Sequence, residues 1–153
     1  AQFDKDGNVR NWWTPDDYAK FKAKTQQVID LYSTFTVLDT VHVKGALTVG
    51  ENTADNGGIA IAYDAFKLTK QGQDSTRIDG FTPDQRFFLS IARIWRVKTR
   101  DAFMRNYVNT NSHSPAIWRV NGPLMNFGPF YKAFNVQPGD KMYRAEDQRL
   151  KIW

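Results

Sequence analysis

Glu51 and Asp55 stand four residues apart in Gly50-Glu51-Asn52-Thr53-Ala54-Asp55-Asn56-Gly57-Gly58. On a helix, residues at i and i+4 share one face, so this spacing predicts two carboxylates converging on one point. Like charges so placed repel, and a bound cation is what makes their proximity favourable. An isolated E-x-x-x-D pair occurs by chance on many solvated helices. Here Ala54, Gly57 and Gly58 accompany it, and a solvated face has no use for them.

The elements that must position these groups read as mainly helical, joined by irregular loops, with no sheet. Residues 1–13 read as a loop with a turn at Asp4-Lys5-Asp6-Gly7-Asn8. Thr14-Pro15-Asp16-Asp17 combines a cap, a first-turn proline and acids at the positive helix end. Tyr18, Phe21, Thr25, Val28, Tyr32 and Phe35 then recur at threes and fours, predicting one apolar stripe on a long helix to about residue 36. Val37–Val43 is rich in β-branched residues and reads as an extended piece. Gly50 or a neighbour is expected to open the motif helix, which runs to about Leu68. Gly57-Gly58 inside it costs roughly 1 kcal/mol per glycine relative to alanine, a cost a helix carries where another backbone must come close.

Gln71-Gly72-Gln73-Asp74-Ser75 breaks the pattern. Thr82-Pro83-Asp84-Gln85 is a second helix start with capping-box spacing, followed by an apolar face of Phe87, Phe88, Ile91, Ile94 and Trp95. A shorter helix is expected over Arg100–Val108. An irregular stretch over Asn109–Pro123 would hold His113 and Arg119, with a last helix over Asn126–Phe134 and a turn at Gln137-Pro138-Gly139-Asp140. One domain spanning 1–153 is expected at this length.

The net charge is +5 and there is no cysteine, which excludes disulfides and thiolate metal sites. No apolar run approaches the roughly 20 residues of a membrane span. Lys20, Lys22 and Lys24, and Arg93, Arg96, Lys98 and Arg100, read as solvated helix faces. A basic nucleic-acid-binding module is the lesser alternative, since it leaves Glu51, Asp55 and His113 without purpose. The N-terminus reads as a cut end, with Ala1-Gln2-Phe3-Asp4 an unnatural start.

Together with His113-Ser114-Pro115 and Arg119-Val120-Asn121-Gly122, the Glu51–Gly58 motif resembles the zinc metallopeptidases of the neprilysin and endothelin-converting enzyme family, including bacterial homologues. The resemblance spans the chain: Gln2-Phe3-Asp4, Trp12-Trp13, Asn121-Gly122-Pro123-Leu124, Asn126-Phe127 and Lys151-Ile152-Trp153 also follow the family pattern, the last read as packing. It implies the C-terminal part of a zincin, thermolysin-like catalytic domain hydrolysing oligopeptides with one catalytic zinc.

By that resemblance Glu51 is the third zinc ligand and Asp55 the carboxylate that orients a ligand histidine. His113 would donate to the oxyanion formed as water attacks the peptide carbonyl. Arg119 would hold a substrate carbonyl and could also pair with Asp55. Ile94 and Trp95 fall where the family lines a specificity pocket, against an equally weighted reading as plain core. No H-E-x-x-H motif occurs in the chain, so the partner implied is an upstream half of the same polypeptide carrying it. The isolated chain is expected to bind zinc weakly, to cleave nothing and to self-associate through the face of Gly57, Gly58 and Ile59 and that of Phe87, Ile91 and Trp95. Periplasmic, cell-surface or secreted localisation follows from the same likeness. The alternative is a non-catalytic peptide-binding relative. His42 matches no catalytic role and is expected to be structural.

Overall fold

Helix α1 (Pro15–Ser33) starts where the Thr14 hydroxyl accepts the Asp17 amide and Pro15 sits in the first turn, so orphan donors are satisfied or absent. It ends short of residue 36 because Thr36 opens a strand. In the computed structural model, which describes residues 3–152, the expected stripe is buried only in its second half. Val28, Leu31, Tyr32 and Phe35 are core, whereas Tyr18, Phe21 and Thr25 are half-buried. The expectations for Ala1, Gln2 and Trp153 lie outside the described residues.

The extended piece doubles back. β1 (Thr36–Leu38) pairs antiparallel with β2 (Val41–His42), correcting the expectation of no sheet. Asp39 takes the turn at φ 43°, a left-handed conformation that aspartate tolerates better than most residues.

The motif helix α2 (Gly45–Lys67) begins a full turn earlier than expected. Gly45 explains this: a Cβ there would collide with the Ile29 carbonyl oxygen of α1 and the Ser33 hydroxyl. Gly45 is therefore a point of close backbone approach between α1 and α2. Gly57 is buried, while a Cβ at Gly58 would meet nothing. The expected break after Leu68 holds a short helix, α3 (Lys70–Gln73), capped by Thr69 Oγ1 accepting from the Gly72 amide.

α4 (Pro83–Ile94) carries the full capping box, Gln85 N donating to Thr82 Oγ1 and Thr82 N to Gln85 Oε1. α5 (Asp101–Thr110) follows. The expected irregular stretch over 109–123 shrinks to a loop at 111–115, because Pro115 leads into α6 (Ala116–Leu124). Pro123 lies inside α6, where it has no N–H to give the Arg119 carbonyl, and the helix ends one residue later at Leu124. α7 (Gly128–Phe134) stops at Asn135, φ 51°. The chain after it is tied back: Tyr131 Oη donates to the Met125 carbonyl at 2.7 Å and accepts the Arg144 amide at 2.7 Å, and Asn126 Oδ1 accepts the Leu150 amide.

Two apolar clusters hold these elements. Val28, Leu31, Tyr32, Phe35, Val43 and Met125 form one. Phe88, Val120 and Leu124 centre the other, with Phe87, Ile91, Trp95 and Ile59 packed against it. The face of Phe87, Ile91 and Trp95, expected to be left open, is packed in part against this cluster and stays half-buried, and Ile94 is 76 % exposed. The lysines and arginines singled out above are exposed, as expected. No described helix is long and apolar enough to cross a membrane.

Candidate functional site

α2 presents Glu51 and Asp55 one turn apart, as their spacing predicts, and α6 brings Arg119 across to them. Arg119 Nε donates to Asp55 Oδ2 at 2.8 Å and an Nη to Oδ1 at 2.7 Å, a bidentate, charge-assisted contact. The two side chains are only 16 % and 19 % exposed. Trp95, at the end of α4, covers the guanidinium with its ring centroid 4.2 Å from Cζ. The Asp55 hydrogen bonds push the arginine further above its ordinary range, helped by the charges of Asp55 and Glu51 and opposed by burial, so it stays charged. Burial raises the Tyr107 hydroxyl, and Arg119 nearby opposes that rise.

His113 lies on the 111–115 loop. Its Nε2 is 3.1 Å from Glu51 Oε2. Asn111 Oδ1 accepts the His113 amide at 2.8 Å and lies 3.1 Å from Nδ1. Within the loop it is Asn111, through the His113 amide, that caps the backbone. Glu51 and His113 side chains are 42 % and 38 % exposed. The site therefore has a part-buried ion pair as its floor and an open imidazole–carboxylate contact at its rim.

Behind the rim runs a dry hydrogen-bond chain. Ser114 Oγ donates to Asn52 Oδ1 at 2.7 Å, Asn52 Nδ2 to Thr48 Oγ1 at 2.8 Å, and Thr48 Oγ1 to the Lys44 carbonyl at 3.1 Å. Asn56 Nδ2 reaches the Tyr32 hydroxyl at 3.1 Å, and burial pushes that phenol well above its usual range. Sequence reasoning assigned no role to Asn52, Ser114 or Asn111. The signal was there: each sits within two residues of a candidate chemical group.

Trp95 also lines a groove of about 330 Å³ with Val37, Leu38, Val97, Met104 and Ile117. Ile94 points away from it, so the structure brings only one of the two pocket candidates to the groove. His42 is exposed on β2, apart from the site.

As a metal centre the donor set is incomplete. Among the described residues no three histidine, cysteine or carboxylate side chains are grouped to hold an ion. The half-exposed Glu51 carboxylate, beside Asp55, suits one ligand position of an ion whose other ligands come from elsewhere.

A family profile described as Peptidase family M13 matches residues 1–150. The chain is 39 % identical over 153 residues to a protein named neutral endopeptidase from Lactococcus lactis subsp. lactis (strain IL1403), covering 100 % of this chain and 23 % of that protein. It is 39 % identical over 156 residues to one named neprilysin-2 from Caenorhabditis elegans, covering 99 % and 21 %. A Mycobacterium tuberculosis zinc metalloprotease crystallised with an inhibitor superimposes with a TM-score of 0.92 at 39 % identity, over 99 % of this chain and 24 % of that one. The chain thus spans under a quarter of the length of these relatives.

Proposed function

Because the chain belongs to peptidase family M13, we propose that residues 1–153 form one C-terminal portion of the catalytic domain of a zinc-dependent endopeptidase acting on oligopeptides. The observation that carries this reading is the meeting of Glu51, Asp55, His113 and Arg119 at one place, drawn from α2, α6 and the 111–115 loop. Glu51, with ligands from the rest of the polypeptide, would hold a zinc ion, whose chemistry there would be Lewis-acid activation of water and of the scissile carbonyl.

Glu51 gives that ion one carboxylate. Asp55 keeps a second lone pair on each oxygen after binding Arg119, and so can also accept the ring N–H of a ligand histidine and fix its orientation. Arg119, held flat between Asp55 and Trp95, aims its remaining N–H groups at a substrate carbonyl. The His113–Glu51 contact is long and part-exposed, of a kind worth about 0–1 kcal/mol. The imidazole can therefore turn from Glu51 to donate to a substrate oxyanion. Trp95 offers the apolar groove to a substrate side chain, with Ile94 at most at its outer margin.

The rest of the polypeptide, carrying H-E-x-x-H, is the partner this reading requires. Leu47, Ala54, Gly58, Ile61, Ala65 and Leu68 are all exposed and, at about 100° per residue, fall on one stripe of α2 and its cap beside Glu51. A helix seated there adjoins the metal-ligating edge. An extracytoplasmic setting, periplasmic, cell-surface or secreted, belongs to the same reading.

The test is metal content and peptide hydrolysis in the full-length protein. Glu51→Ala should lose both zinc and activity. His113→Ala should keep zinc and lose about 10²–10³-fold in kcat, as for an oxyanion donor. Zinc lost in His113→Ala, or turnover surviving in Glu51→Ala, would refute these assignments.

A further inference from the structure

Glu51 and His113 have neighbours in sequence that are bonded to one another. Asn52, next to Glu51, and Ser114, next to His113, meet at 2.7 Å and are 1 % and 0 % exposed. The bond joins α2 to the 111–115 loop across 62 residues of chain. It is the inner end of a one-directional series: Ser114 hydroxyl to Asn52 carbonyl, Asn52 amide to Thr48 hydroxyl, Thr48 hydroxyl to the Lys44 carbonyl at the start of α2. Each donor has one acceptor and points the same way, an arrangement in which the bonds polarise one another. No water is needed to satisfy it.

Neither Asn52 nor Ser114 reaches the open side of the site, so neither can touch substrate. What they fix is separation. Glu51 and His113 are half-exposed, and their own 3.1 Å contact is too weak to hold the loop against the helix. We infer that the Asn52–Ser114 bond is a positioning latch that sets the distance between the carboxylate edge of α2 and the His113 imidazole, and through it the reach of His113 toward the substrate oxyanion. Pro115 makes the latch efficient, because it is buried and fixes the backbone directly after Ser114. Loss of the Ser114 hydroxyl lets the loop slide while leaving the metal-ligating groups in place.

This rests on the peptidase reading, and the experiment separates the two. In the full-length protein, kcat, KM and zinc content are measured for Ser114→Ala, for His113→Ala and for the pair. The latch predicts that Ser114→Ala lowers kcat about 10–100-fold, the range for residues that orient a reacting group through another, with KM and zinc content nearly unchanged. On the His113→Ala background the same change should lower kcat no further, since its effect passes through His113. Wild-type kcat in folded Ser114→Ala, or an equal fall on both backgrounds, overturns the inference. If Ser114→Ala yields no folded protein, Thr48→Val is the second probe: it keeps the side-chain shape, removes both the Asn52–Thr48 and the Thr48–Lys44 bonds behind the latch, and should lower kcat about 3-fold, about half the logarithmic effect expected from the Ser114 change at the low end of that range. That fall too must vanish on the His113→Ala background; no fall, or one that persists there, overturns the latch. A wild-type protein that neither binds zinc nor cleaves peptides sinks the underlying reading before any variant is compared.

Discussion

Removing either member of the Asp55–Arg119 pair should cost far more than a surface ion pair can. A fully buried pair broken at one end costs about 3–5 kcal/mol, and an exposed one about 0–1 kcal/mol. With 16 % and 19 % of the side chains exposed and two hydrogen bonds of 2.7 and 2.8 Å, this pair lies nearer the buried limit, so Asp55→Ala should destabilise by about 2–3 kcal/mol. Arg119→Met removes the same bonds and the stacking on Trp95, the latter worth about 0.5–2 kcal/mol, and should cost somewhat more. The informative quantity is the coupling in the double-mutant cycle, expected at about 2 kcal/mol within the range for directly bonded residues. Urea denaturation of the four proteins measures it. Raising salt from about 0.1 to 1 M shortens the screening length from about 10 to 3 Å, yet should reduce the coupling only in part, because the pair is part-buried. A coupling below about 0.5 kcal/mol, or one abolished by salt, would refute the description of this contact as a part-buried anchor of the site.

Gly122→Ala should destabilise by about 1–3 kcal/mol, the usual cost of overpacking, because a Cβ there would lie 2.5 Å from the Tyr32 hydroxyl oxygen and Tyr32 is fully buried; thermal denaturation reads it, and a neutral result would mean α1 and α6 are looser than drawn. Burial, reinforced by the charge and hydrogen bond of Asp84, pushes the Tyr63 hydroxyl up to about 12. The unfolded chain then loses this proton first as pH rises, so Tyr63 contributes full stability below its ordinary value near 10 and loses it between about 10 and 12. Wild type should lose more stability than Tyr63→Phe over that window, and parallel profiles would contradict the assignment. Thr82→Ala removes the cap of α4 and half of its capping box, and should cost about 1 kcal/mol by the same denaturation assay. The isolated 153-residue chain should self-associate through the exposed stripe of α2; a clean monomer by light scattering that binds no apolar dye would remove the basis for seating a helix there.

What the sequence disclosed was whatever local chemistry decides. The Thr14 and Thr82 starts appear as expected because capping depends on residues within one turn. The Glu51–Asp55 face follows from helical period alone, and the Asp55–Arg119 pairing came with the family resemblance. Other features were set by distant partners. The start of α2 depends on Gly45 meeting the Ile29 carbonyl of α1, which no window around residue 50 contains. The hairpin at 36–42 is two short strands whose pairing outruns their weak alternation. α6 falls in the stretch expected to be irregular; Pro115 sits at its entry, where a proline costs nothing. Asn52 and Ser114 were quoted as motif letters, but their bond spans 62 residues, and burial of two small polar side chains leaves no periodic trace.

The internal anchoring bears on how such a site is assembled. Asp55 is held by Arg119, Arg119 by Trp95, the His113 loop by Asn52 and by Asn111, and α2 by its crossing with α1 at Gly45. Every one of these contacts is made within the chain. Asp55 and Arg119 are therefore oriented by contacts within the chain, whereas the half-exposed Glu51 and His113 touch each other and, on the proposed reading, would exchange that contact for zinc and substrate. Preorganisation of this kind confines the ordering cost to folding and keeps it out of the chemical step. On the proposed reading the labour would be divided: an H-E-x-x-H helix would bring ligands and a base to the open edge of α2, while the Asn52–Ser114 bond would set the distance from that edge to the oxyanion donor. Substitutions on the α2 stripe should accordingly impair metal retention first, whereas substitutions at Asn52, Ser114 or Arg119 should impair turnover in protein that still holds its metal.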